Sequence, residues 1–116
     1  MTCFWDTLRS RLNINNSNTE FITYLKEKNT KDITVLWNDI KFTEKQKDEN
    51  YEHIKEFDKN NINNGYDCSI CDPFLILICE LCNVNIEHNY NSYRMKYYKP
   101  NNNKTIDVRS DLGHFS

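Results

Sequence analysis

The spacing of apolar residues changes once along this 116-residue chain, and that change limits what it can fold into. Up to Cys82 the apolar positions recur every three to four residues; from Val84 they recur every second residue. The first period belongs to helices with one buried face, the second to half-buried strands. Phe4, Leu8 and Leu12, with Trp5 alongside, mark a helix from Cys3 to Leu12. Ser17-x-x-Glu20 forms a capping box ahead of Phe21, Tyr24 and Leu25. Thr43-x-x-Gln46 does the same for a polar helix with the stripe Tyr51, Ile54 and Phe57. Between them, Ile33, Leu36, Trp37 and Ile40 fit a short helix, although 33–37 also fits a strand.

Residues 59–67 read as a loop, with Gly65 supplying a tight turn. Asp72-Pro73 then reads as a helix start, Asp as N-cap and Pro in the first helical position. Phe74 to Ile78 and Leu81 are apolar almost all round, which predicts a helix in the middle of the domain. Beyond it, Val84, Ile86, His88 and Tyr90, and then Tyr93, Met95 and Tyr97, alternate with polar residues around Asn91-Ser92. That pattern predicts a hairpin. Ile106 and Val108 give a third strand and His114-Phe115 a fourth. Helices first and an antiparallel sheet after them predict an α+β fold, in one domain over 1–116.

Charge and composition exclude several classes. Fifteen Lys and Arg against seventeen Asp and Glu leave a net charge of −2, which argues against nucleic acid as a partner. The apolar run Phe74 to Cys79 is far shorter than the roughly 20 residues of a membrane span. Residues 1–6 lack the basic and apolar parts of a secretion signal. The expected location is cytoplasmic. Eighteen Asn, eleven Ile and eleven Lys stand against no Ala, two Gly and two Pro. Such a balance follows AT-rich codons, as in a large DNA virus, a protist or a low-GC bacterium; for a virus the location becomes the host cytoplasm. An Asn-rich loop here is therefore read as codon drift, not as a binding device.

Five cysteines without a secretion signal point to a reducing compartment. Four of them fall as Cys68-x-x-Cys71 and Cys79-x-x-Cys82, a pattern that prompts a zinc site in a small interaction module. The seven intervening residues are largely apolar, however, and a helix through them carries Cys79 about 9 Å from Pro73. That spacing weakens the zinc reading and favours Cys79 and Cys82 as core side chains. Cys3 is different: it begins an amphipathic helix, where the positive end of the helix dipole favours a thiolate nucleophile. A cysteine nucleophile needs a histidine base. His53 sits on a polar helix face, and His88 shares a strand face with Ile86 and Tyr90 as a half-buried, satisfied histidine. His114 follows Gly113 and precedes Phe115, which can anchor the strand in the core.

Cys3-Phe4-Trp5-Asp6-Thr7-Leu8 at one end and Gly113-His114-Phe115 at the other resemble the terminal motifs of the ovarian-tumour (OTU) family of cysteine proteases. The segment Asp72 through Ile86 resembles that family's central helix feeding into a strand. The resemblance implies a papain-like fold and hydrolysis of isopeptide bonds to ubiquitin or a ubiquitin-like modifier, with no cofactor. It implies Cys3 as nucleophile and His114 as general base and then acid. Trp5 and Phe115 become candidates for lining a channel for the modifier's tail. The family commonly sets an Asp or Asn just after the histidine, where this chain has Ser116. Asp111 and Asp6 are the nearest acids and the candidates for orienting the imidazole. A domain of this kind without turnover would still bind ubiquitin or a host partner.

Overall fold

The computed structural model describes residues 3–58, 68–111 and 114–116, with backbone alone for 68–70 and 114. Four helices and six strands follow in the order α1 (Cys3–Leu12), α2 (Asn18–Glu27), β1 (Leu36–Trp37), β2 (Ile40–Lys41), α3 (Glu44–Glu56), α4 (Cys68–Cys82), β3 (Val84–Tyr90), β4 (Tyr93–Tyr98), β5 (Lys104–Asp111) and β6 (His114–Phe115). The architecture is α+β. Both capping boxes form. Ser17 accepts from the Glu20 amide while Glu20 accepts from the Ser17 amide, and Thr43 and Gln46 repeat the exchange. Each pair satisfies two amides that a helix start otherwise leaves without partners.

Two helical expectations are corrected. Residues 36–41 form a two-strand hairpin, because Asn38 and Asp39 both take the left-handed conformation (φ 48° and 68°) that a tight hairpin turn needs. The central helix begins at Cys68, so Pro73 lies inside it and Asp72 is no cap. Proline cannot donate to the carbonyl four residues back, which costs a helical hydrogen bond. The longer helix in turn brings Cys71 into the core, where it is buried. The loop expected at 59–67, with its Gly65 turn, lies outside the described residues.

The strands form one sheet in the order β2-β1-β4-β3-β5-β6. The hairpin β3–β4 pairs as its alternation predicts, Tyr90 opposite Tyr93 and Ile86 opposite Tyr97. The expected antiparallel sheet is mixed, however: β5 runs parallel to β3, with Ile86 beside Ile106 and His88 beside Val108. After β4 the chain crosses the start of β3 to reach its far side. That crossing is fastened by polar side chains. Asn85 Oδ1 accepts from the Lys99 amide at 2.9 Å and from Asn102 Nδ2 at 3.2 Å. Lys99 Nζ donates to Asn83 Oδ1 at 2.9 Å and reaches Glu80 Oε2 at 3.4 Å. The other oxygen of Glu80 takes the amides of Thr34 and Val35.

Ile86, His88, Tyr97, Ile106, Val108 and Phe115 form the sheet's buried face, and α4 packs across it with Phe74, Leu75, Leu77 and Ile78 buried. Among the described residues no helix is long and apolar enough to cross a membrane. Trp5 ties the helices together: its ring lies 4.9 Å from Phe74 and 6.1 Å from both Phe21 and Phe57, mostly edge-on.

Candidate functional site

The head of α1 docks on β6. Phe4, the residue after Cys3, stacks edge-on against Phe115, the residue after His114, with ring centroids 4.7 Å apart. Thr7, one turn along the helix, donates its hydroxyl to the Phe115 carbonyl at 3.2 Å. β6 is held in turn by β5: Ser110 pairs with Phe115, Asp111 pairs with His114, and Arg109 and Ser116 exchange two backbone hydrogen bonds of 2.7 Å. The two ends of the chain, 111 residues apart between Cys3 and His114, thus meet at one edge of the sheet. Cys3 is half-buried and is the first residue of α1. The first amides of a helix have no intrahelical acceptor, so donors surround that position. The side chain of His114 lies outside the described residues, as do Met1, Thr2, Leu112 and Gly113.

The two candidate acids differ in what they meet. Asp6 Oδ1 accepts from Asn18 Nδ2 at 2.8 Å and stands 3.6 Å from Arg9, so it ties α1 to the start of α2. Asp111 is the register partner of His114 in the antiparallel pairing of β5 with β6.

Trp5 and Phe115 do not line a channel. Each is only 3% exposed, because both rings belong to the aromatic core. His88 is more enclosed than the alternation implies: it is fully buried, with Nε2 2.7 Å from Ser110 Oγ and its ring 5.6 Å from that of Phe115. Burial pushes its pKa down to about 4, which disqualifies it as a base near neutral pH. Ser110 was not marked by the sequence as its partner. Alternation places Ser110 on the buried face with Ile106 and Val108, and that was the signal available. His53 is exposed on α3.

The cysteine pairs lie on one helix. From Cys71 to Cys79 the axial rise is about 12 Å, whereas four thiolates around zinc must each lie about 2.3 Å from the metal. A tetrahedral site of Cys68, Cys71, Cys79 and Cys82 therefore does not fit this helix. Cys71 and Cys79 are buried in the core, and Cys79 donates its thiol to the Tyr97 carbonyl at 3.4 Å. Burial, aided by the neighbouring Glu80 charge, pushes the Cys79 thiol up to about 12. Burial also raises that of Cys82. Both shifts favour the neutral thiol over the thiolate that a nucleophile requires. Among the described residues no group of three or more His, Cys, Asp or Glu could hold a metal ion. No protein-family model, curated protein sequence or solved structure matches the chain.

Proposed function

We propose that the protein is a cysteine-type deubiquitinase in which Cys3 is the nucleophile and His114 the general base. The observation that carries this reading is the docking of α1 on β6 through Phe4, Thr7 and Phe115, which brings the backbones of the two motif residues to one sheet edge. The choice of ubiquitin or a ubiquitin-like modifier rests on the resemblance of the Cys3-Phe4 and Gly113-His114-Phe115 motifs. The raised thiol pKa values of buried Cys79 and half-buried Cys82, and the buried, neutral His88, weigh against those residues as the reacting pair and support the reading.

In this reading His114 takes the Cys3 thiol proton and the thiolate sulfur bonds to the isopeptide carbonyl carbon. The carbonyl oxygen carries the resulting negative charge, met by backbone amides at the head of α1. As the tetrahedral intermediate collapses, the C–N bond breaks and the leaving lysine amine takes the proton from His114. Water, deprotonated by the same histidine, then cleaves the thioester and returns the thiol. Asp111 orients the imidazole from the neighbouring strand and acts through it.

The test is hydrolysis of an isopeptide-linked diubiquitin. The wild-type chain is expected to cleave it, Cys3→Ala to abolish cleavage, and His114→Ala to lower kcat/KM by roughly 10²-fold or more. Binding without cleavage by a folded wild-type sample would contradict the reading and leave a non-catalytic ubiquitin-binding domain.

A further inference from the structure

At the other end of the sheet a groove opens between α3, the first half of α4 and strands β1 and β4. Its cavity is about 350 Å³, room for one long side chain and the backbone that carries it. Trp37, Phe42, Ile76 and Met95 supply its apolar surface. Trp37 is 37% exposed, whereas Trp5, the other tryptophan, is 3% exposed. The polar wall holds the carboxylates of Glu49 and Asp72 beside His53, with no lysine or arginine among the lining residues. Even with His53 protonated, two carboxylates leave the lining negative. Glu49 also stands 4.0 Å from Lys45, but both side chains are more than half exposed, so that pairing is screened and weak.

We propose that this groove binds an arginine side chain presented by a partner polypeptide. A guanidinium is planar, stacks on an indole face and forks onto carboxylates, and its stem is apolar. Trp37, the pair Glu49 and Asp72, and the floor of Ile76 and Met95 match those three parts in turn. The groove is independent of the Cys3–His114 reading. It lies at β1 and β4, while His114 sits on β6, three strand spacings or about 14 Å from β4.

Titration of the full chain with an acetylated, amidated Gly-Gly-Arg-Gly-Gly peptide, followed through the two tryptophan indole N–H signals, tests this. Saturable movement of the Trp37 signal with Trp5 unmoved is expected. The citrulline peptide, which keeps the shape and loses the charge, is expected to bind at least about tenfold more weakly. Glu49→Gln with Asp72→Asn should cost the same factor, and Glu49→Gln alone, on the exposed wall, gives a readout if the double variant does not fold. Equal binding of the citrulline peptide, unchanged binding by the folded variants, or no saturable shift of Trp37 would overturn the proposal.

Discussion

Asparagine, the residue most easily dismissed as codon drift, holds specific backbone positions. The described non-glycine residues with positive φ are Asn13, Asn38, Asp39, Asn83 and Asn91. Asn and Asp tolerate this region better than other side chains because their short polar groups bond locally. With two glycines in 116 residues, asparagine takes the turn positions that glycine usually fills. Asn38 also fastens its turn to β4, exchanging its amide and side-chain oxygen with Lys96 at 2.9 and 2.8 Å. His88 gives a prediction at the same scale. Its folded pKa of about 4 lies below the unfolded value of 6.5, so between these the unfolded chain binds the extra proton. The contribution of neutral, buried His88 to stability is therefore full above pH 6.5 and is lost as pH falls through 4, by a total on the order of 3 kcal/mol. Urea unfolding at pH 7 and pH 4.5 checks the sign, and His88→Phe should flatten part of the slope. A chain equally stable at both values would contradict a neutral, buried His88.

At the scale of elements, local signals were legible and long-range ones were not. The capping boxes at Ser17 and Thr43 and the Asn91-Ser92 turn were visible because each is decided within four residues. Thr43→Ala is expected to cost about 1 kcal/mol and to speed amide exchange in the first turn of α3, because the Gln46 amide loses its acceptor. Unchanged thermal unfolding and exchange would show that the box carries no stability. The β1–β2 hairpin was not legible, since Ile33, Leu36, Trp37 and Ile40 satisfy a helical spacing as well as an extended one. Two left-handed residues at the turn settle the matter, and a spacing pattern does not register them. The start of α4 was missed for a related reason. Asp72-Pro73 is a good local helix start, but the helix runs from Cys68 through Pro73 and carries Cys71 into the core, a packing contact that no local pattern registers.

At the scale of the whole molecule, alternation assigns faces to strands without choosing neighbours, so the parallel pairing of β3 with β5 was hidden. The polar crossing under β3 makes that topology, and Glu80 is its hub, joining α4, the segment before β1 and Lys99. Glu80→Ala should cost roughly 2–4 kcal/mol, because two amides lose their acceptor and a mostly buried ammonium loses its counter-charge. Glu80→Gln, which keeps a carbonyl oxygen, should cost less; equal stability of all three proteins in urea would contradict the hub. The candidate site shows the same division. Cys3 and His114 stood out as short motifs, but only folding brings α1 onto β6 and sets Asp111 opposite His114. The most direct measurement is the intact mass of the protein after incubation with ubiquitin carrying a C-terminal electrophile, followed by peptide mapping. One added ubiquitin, mapped to Cys3 and lost in Cys3→Ala, is the predicted result. A folded chain that stays unmodified, or that is modified at Cys82 instead, would contradict the account.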